Sequence, residues 1–339
     1  MRAVAVVDPS QIAQARREAA EAAAAIAFNT TDAGRVALVA SELATNLIKH
    51  GGGGELLIGS YDDPTGTGIE LIALDKGPGI ANVQACLEDG YSSAGTAGHG
   101  LGAIRRQSQA MEIVSWQGMG TAVLARLASG ARHNGDSQQR APWGSVSVAL
   151  QGEEVCGDAC IAVETTAGRT LIVADGLGHG AAAATASMEA IRLFERYQSR
   201  PVAELLEYLH SGLRSTRGAA IAVARFDPDR GKVVYGGIGN IAGVVLSSTA
   251  TRRMVSLNGT AGHVARKVQT FDYPITDDGV VVMNSDGLAT SWSLQRYPGL
   301  LAAHPSLIAA VLYRDFSRRR DDVTVLVARV PVSDGASAA

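Results

Sequence analysis

Cysteine is scarce in this chain. Cys86, Cys156 and Cys160 are the three among 339 residues, too few and too ill-matched for a disulfide framework. Cys156 and Cys160 stand four apart, yet no second Cys or His pair accompanies them, so core or surface thiols are expected rather than a zinc site. Long apolar runs are missing as well: none approaches the roughly 20 residues that span a bilayer. Residues 1–7 are apolar but lack a charged leader and a cleavage site, and read as a first strand rather than a signal peptide. Strong charge of either sign is absent, with a formal net charge of −3 and a pI near 6.2. There is no basic stripe interleaved with aromatics, and Arg318-Arg319-Arg320 runs straight into two aspartates. No nucleic acid, no membrane and a cytoplasmic location are therefore expected. No internal repeat is found.

What is present is 46% hydrophobic sequence, enough for a core in each of the roughly two domains that this length suggests. Residues 1–128 alternate helix and strand patterns. An Ala-rich helix is expected over 10–28, with Pro9 and Ser10 as start signals. A second is expected to run to about His50, capped by Thr31 or Asp32. Strands are expected over 55–61, 68–75, 111–116 and 120–127. Residues 129–142 turn to Ser, Gly, Asn, Asp, Gln and Arg without hydrophobic period and read as a linker. From 143 to 331 come strands at 144–150, 159–164 and 169–174, helices over 178–198 and 201–215, short strands between 219 and 284, a helix over 305–316 and a last strand. Residues 332–339 read as a disordered tail. Strands, a helix pair and strands again suggest a sheet-rich sandwich flanked by helices.

Two acidic, glycine-spaced constellations carry the chemistry. In the first half, Val36, Val39, Leu43 and Leu47 form the core stripe of a helix, and Glu42 and Asn46 stand one turn apart on an adjacent face. A carboxylate there can take a proton from an attacking hydroxyl, and an amide oxygen can complete the shell of a phosphate-bound Mg²⁺. Alone, such a pair is most often a solvated helix face. The strand 70–74 then delivers Asp75, with Gly77 and Gly79 behind it, where a carboxylate can accept from an exocyclic amine. Gly98-His99-Gly100-Leu101-Gly102 precedes a helix pattern and offers backbone N–H groups to a polyphosphate.

In that order, these segments resemble the GHKL ATPases, and more closely the RsbT-type serine kinases and anti-sigma factors of bacterial partner switching. The matching stretches include Ser41-Glu42-Leu43-Ala44-Thr45-Asn46, residues 75–80 and 88–92, the glycine loop and Gly118-Met119-Gly120-Thr121. The resemblance covers nearly all of residues 1–128. It implies Glu42 as catalytic base and Asn46 as Mg²⁺ ligand. It further implies Asp75 as the adenine contact, with Gly77, Gly79, Gly98, Gly100, Gly102 and Thr121 around ATP and residues 81–97 in a mobile lid. The usual substrate of that family is a Ser or Thr on a small STAS-domain protein.

In the second half, strands end in Asp175-Gly176, followed by Gly178-His179-Gly180, and in Ser285-Asp286-Gly287. The last strand follows Asp321-Asp322 directly. A single Asp-Gly is usually a turn. Several acidic strand ends gathered by a sandwich are what hard divalent cations need. His179 is expected to cap or cover rather than ligate. This half is similar to the PPM metal-dependent phosphatases of the SpoIIE/RsbX branch, through Gly157-Asp158, residues 175–180, Gly239-Asn240, Ser285-Asp286-Gly287 and Asp321-Asp322-Val323-Thr324. The resemblance implies two Mn²⁺ or Mg²⁺ ions, with Asp175 bridging, the Gly176 carbonyl on one ion, Asp286 and Asp321 completing a shell and Asp158 supporting the other. Asp322 falls where relatives often carry Asn.

The expected fold class is therefore two-domain α/β (α+β), a GHKL (Bergerat) α/β sandwich followed by a PPM-type α-β-β-α sandwich. The expected function is a bifunctional partner-switching regulator acting on STAS-domain antagonist or scaffold proteins (RsbS/RsbR-like) or a sigma-factor regulator. Two alternatives stand beside it: an N-terminal half that only binds a partner, leaving phosphatase as the sole activity, and a scaffold with two degenerate sites.

Overall fold

The structure, a computed structural model, describes residues 1–87, 100–130, 141–165, 168–265 and 267–331. The chain divides into two compact units. One comprises Met1–Ala141 and Leu294–Val311, the other Pro142–Ser293 and Leu312–Ala339.

In the first unit, β1 (Arg2–Val6), β2 (Gly54–Asp63), β3 (Gly66–Leu74), β4 (Ala110–Trp116) and β5 (Gly120–Ala128) form an antiparallel sheet in the order β1-β2-β3-β5-β4. Helices α1 (Ser10–Ala25), α2 (Thr30–Gly51), α3 (Val83–Leu87) and α4 (Gly100–Gln107) complete the early part of the chain. Alternation along the strands decides which side is covered. Leu56, Ile58, Ile69, Leu71, Val123, Ala125 and Leu127 point to the helices and join Val36, Val39, Leu43 and Leu47 of α2. Ala15, Ala19 and Ala23 give α1 a stripe of small residues, so it packs closely on α2.

The N-cap of helix α2 lies two positions before Thr31 and three before Asp32, the expected caps. Asn29 is the N-cap, its Oδ1 accepting from the Asp32 N–H at 2.9 Å, and Gly52 ends the helix with φ of 70°. Helix α4 starts inside the glycine loop, at Gly100, rather than after it.

The opposite face of this sheet carries a buried charge network. Glu70 on β3 and Arg126 on β5 are register partners. The Arg126 Nε donates to Glu70 at 2.6 Å and its Nη1 donates to Asp63 at 2.6 Å. Ser306, from the late segment of the same unit, donates its hydroxyl to Glu70 at 2.9 Å. Trp116 and Tyr297 meet edge to face, and the Trp116 indole N–H donates to the Pro298 carbonyl. Burial pushes the Glu70 carboxyl up, opposed by the Arg126 charge.

In the second unit two five-stranded antiparallel sheets stack. One contains β7 (Asp158–Thr165), β8 (Gly168–Gly176), β9 (Ala219–Asp227), β10 (Lys232–Ile238) and β15 (Phe271–Pro274). The other contains β6 (Trp143–Val148), β11 (Ala242–Leu246), β12 (Thr251–Met254), β16 (Val280–Asn284) and β17 (Val323–Arg329). Leu171, Val173, Ala222, Phe226, Tyr235, Val281, Met283 and Leu326 fill the space between them. Helices α5 (Ala181–Tyr197) and α6 (Val202–Gly212) cover the outer face of the first sheet over Ile172, Ala174, Ile221 and Val223. A two-residue pair, β13 (Gly259–Thr260) and β14 (Val264–Ala265), lies beside β9. The last helix, α7 (Pro305–Phe316), belongs to the first unit up to Val311 and to the second from Leu312, and is buried from Leu307 to Tyr313.

Candidate functional site

Each unit carries one constellation. In the first, α2 brings Glu42 and Asn46 to one face, both half-buried. Among the described residues the buried Asn46 side-chain nitrogen has no hydrogen-bond partner, so the amide has polar capacity to spare. Gly100 opens α4 directly against this pair. A Cβ there would lie 3.3 Å from the Asn46 Oδ1 and 3.8 Å from the Glu42 Oε2. Bare backbone at the first turn of α4 thus faces the carboxylate and the amide, an arrangement suited to a polyphosphate with its cation. Gly102 is buried within α4. Gly98 lies outside the described residues, as does the rest of 88–99.

Asp75 follows β3. Its Oδ1 accepts from the Gly77 N–H at 2.8 Å and the Thr121 N–H at 3.1 Å, and its own N–H donates to the Thr121 carbonyl at 3.0 Å. The carboxylate is fixed from both sides by backbone. Gly120, with φ of 84°, must stay glycine: a Cβ would collide with the Asp75 carbonyl oxygen. Gly79, with φ of 76°, approaches the Trp116 carbonyl just as closely. Thr121 shares a hydrogen bond with Ser115 at 2.9 Å, and Ser115 accepts from the Ile80 N–H at 2.7 Å. Ser115 was not among the expected residues. It is the next-to-last residue of β4 in an ordinary β pattern, and no sequence signal marks it.

The second constellation is built on strand ends. Asp158 opens β7 and Asp175 nearly closes β8, so these acids are part of the ladder rather than of the turns beyond it. The two are register partners. The Gly176 N–H donates to the Gly157 carbonyl at 3.2 Å, and a Cβ on Gly176 would collide with the Ala183 carbonyl at the start of α5. Asp286 follows β16 and accepts from the Asn240 amide at 2.7 Å. Asp321 precedes β17 and is exposed.

Electrostatics links these positions. Burial pushes the Asp175 carboxyl well up, and Asp158, Asp286, Asp321 and Asp322 add to the rise. Asp158 is raised too, by burial and then by Asp322 and Asp321 against the opposing hydrogen bonds of Ser285 and Thr324, and among the described residues its buried Oδ2 has no partner. Burial and Asp321 raise Asp286, while the Arg318 charge opposes them. Carboxylates that lift one another in this way suit a cation. Among the described residues they are not drawn into a closed metal-holding set of three. Asp322 has a different task. Its Oδ1 accepts from the Leu150 N–H at 2.8 Å and its Oδ2 from the Gly157 N–H at 2.9 Å, with the residue 2% exposed. His179 is exposed and pairs with Glu153 at 2.5 Å. Cys156 and Cys160 are free thiols pushed up by burial, to about 12 and about 11.

The curated relatives are the serine/threonine-protein kinase RsbT and the phosphoserine phosphatase RsbX, both of Bacillus subtilis. RsbT is 34% identical over 114 residues, which cover 34% of this chain and 86% of RsbT. The chain belongs to the RsbT family. RsbX is 24% identical over 139 residues, covering 41% of this chain and 70% of RsbX. The family models agree with this division. The histidine kinase-like ATPase domain matches residues 5–127, and Stage II sporulation protein E (SpoIIE) matches residues 166–331. A chain from the solved structure titled "The bacterial stressosome: a modular system that has been adapted to control secondary messenger signaling" shares 28% identity. It has a TM-score of 0.52 and covers 56% of this chain and 98% of its own. This RsbT-family chain is thus a fusion: a GHKL-like ATPase domain followed by a PPM-type serine/threonine phosphatase domain.

Proposed function

We propose that the chain is a bifunctional partner-switching regulator. The N-terminal domain phosphorylates a Ser or Thr of an STAS-domain scaffold or antagonist at the expense of ATP, and the C-terminal domain hydrolyses such a phosphoester. The observation that carries the first activity is the approach of Gly100 to both Glu42 and Asn46. Glu42 accepts the proton of the attacking hydroxyl, whose oxygen bonds to the γ-phosphorus as ADP leaves. Asn46 and the first turn of α4 hold the polyphosphate with its Mg²⁺, and Asp75 receives the adenine amine. Phosphoryl transfer of this kind asks mainly for positioning and charge compensation.

In the second activity the orphaned Asp158 oxygen and the raised carboxylates of Asp175 and Asp286 support a two-ion site. Asp175, the Gly176 carbonyl, Asp286 and Asp321 would hold the ions, with Asp158 behind them, and Asp322 ties down the loops beside them. Two divalent cations so held supply a water-derived nucleophile near neutral pH. The names of the relatives, a serine/threonine-protein kinase and a phosphoserine phosphatase, support opposed activities on phosphorylated hydroxyl side chains, and fusion raises the effective concentration of each on any partner they share.

The test is a radiolabelled-ATP assay with STAS-domain proteins encoded beside this chain. Glu42→Ala is expected to abolish transfer and leave Mn²⁺-dependent dephosphorylation intact, and Asp286→Asn to do the reverse. Normal transfer by Glu42→Ala would remove the kinase assignment.

A further inference from the structure

The phosphatase constellation is strongly negative. Five carboxylates, Asp158, Asp175, Asp286, Asp321 and Asp322, stand at neighbouring strand ends, with Asp158 and Asp175 directly paired across β7 and β8. Two divalent ions would leave such a set close to neutral or still slightly negative, and a phosphomonoester brings nearly two further negative charges. Recognition of the ester oxygens therefore calls for a cationic donor outside the acidic set.

Two arginines stand near it. Arg318 is exposed, and its backbone N–H donates to the Gly287 carbonyl at 2.8 Å, but its charge already acts on Asp286. Arg217 is different. Its Nη1 lies 3.5 Å from the position a Cβ on Gly178 would take, which sets the guanidinium against the turn from Asp175 to Gly180. The side chain is exposed and, among the described residues, has no ion-pair or hydrogen-bond partner. Glu153, the carboxylate beside Gly180, is paired with His179 instead.

The backbone that carries Arg217 is anchored on the same turn. The Thr216 hydroxyl donates to the Leu213 carbonyl at 2.7 Å and accepts from the Gly218 N–H at 3.0 Å. The Gly218 carbonyl accepts from the Leu177 N–H at 3.0 Å, and Ala219 is the register partner of Gly176. A long cationic side chain thus rises from a fixed base, with a glycine beneath it that leaves room for an anion.

We propose that Arg217 is the phosphate-recognising residue of the phosphatase site, its planar fork donating to two non-bridging oxygens of the phosphoserine or phosphothreonine ester. The proposal rests on the phosphatase reading of this domain.

The test uses the full chain with Mn²⁺, p-nitrophenyl phosphate as substrate and inorganic phosphate as inhibitor. Arg217→Ala is expected to raise KM and the phosphate inhibition constant together by about 10- to 100-fold, the size of a charge-assisted pair of hydrogen bonds. The Mn²⁺ activation midpoint and Tm should stay unchanged, because the side chain is exposed and touches no proposed ligand. Arg217→Lys should recover part of the loss, as a point charge without the fork, whereas Arg217→Gln should not. Unchanged KM and phosphate inhibition in an active Arg217→Ala enzyme overturn the proposal. So does a shifted Mn²⁺ midpoint with phosphate inhibition intact, which would put the arginine to work on the cradle instead. A wild-type chain without any Mn²⁺-dependent hydrolysis removes the phosphatase reading itself, an outcome seen before any variant is compared.

Discussion

Asp158 and Asp175 are directly opposite one another across the β7–β8 ladder, so their Cα atoms are held about 4.5–5.5 Å apart by the strands themselves. Neither can retreat without breaking the sheet. The conflict between the two charges is therefore built into the fold, and a proton or a cation must relieve it.

A pH dependence follows. Both carboxyls are raised above their ordinary range in the folded protein. A raised acid binds its proton more tightly when folded, so its contribution to stability is present at low pH and lost as pH rises through the folded value. In EDTA, Tm is expected to fall between pH 5 and pH 8 through this contribution, and Mn²⁺ is expected to raise Tm more at pH 8 than at pH 5. Melting curves with and without Mn²⁺ across that range check it, and an equal Mn²⁺ effect at both ends would contradict it.

Asp321 and Asp322 are neighbours with opposite expected phenotypes. Both oxygens of Asp322 hold backbone N–H groups of other loops. Asp322→Ala should therefore cost about 2–4 kcal/mol by leaving those donors unmet, seen as a lower Tm even in EDTA. Asp322→Asn keeps one acceptor and should cost less. Asp321→Asn removes a charge that raises its neighbours, so it should raise the EDTA Tm slightly at pH 8 and shift the Mn²⁺ activation curve to higher concentration.

Arg126 compensates two buried carboxylates, Glu70 and Asp63. Arg126→Ala should destabilise the first unit by about 3–5 kcal/mol, since it strands buried charge. The double variant Arg126→Ala/Glu70→Ala should lose clearly less than the sum of the single losses. Denaturation followed at Trp116, in a background with Trp143 and Trp292 replaced by Phe, reports on this unit, and simple additivity would disprove the coupling.

Gly120→Ala tests the nucleotide site without touching a proposed ligand. The added methyl would collide with the Asp75 carbonyl at a φ of 84°, and Thr121, whose N–H holds Asp75, is the next residue. Affinity for a fluorescent ATP analogue should fall at least about tenfold. Gly118→Ala, at a φ of 69° with nothing within 4 Å, should do less harm. Equal effects at both positions would assign the loss to backbone strain alone.

The strand-end placement of Asp175 and Asp286 was legible because an apolar run that stops near Asp-Gly marks the end of a strand. The core face of α2 was legible from Val36, Val39, Leu43 and Leu47 at helical spacing. Its start was not. Asn29-Thr30-Thr31-Asp32 offers four capping residues in a row, and only the geometry chooses Asn29. The Glu70–Arg126 pair joins residues 56 apart in sequence, and no local pattern tells a buried ion pair from two solvated side chains. The task of Asp322 was hidden for the same reason, since its partners Leu150 and Gly157 are backbone donors from distant loops. The grouping of Leu294–Val311 with the first unit leaves no mark in composition or period.

That grouping bears on how the molecule is made. On the ribosome, residues 1–141 emerge early, but Ser306, the hydroxyl that reaches Glu70, follows only after most of the phosphatase sequence has been translated. A nascent chain therefore lacks this partner of its first sheet until the gene is nearly read through. Completion of the ATPase-domain unit is thus coupled in time to synthesis of the phosphatase domain by the order of the codons.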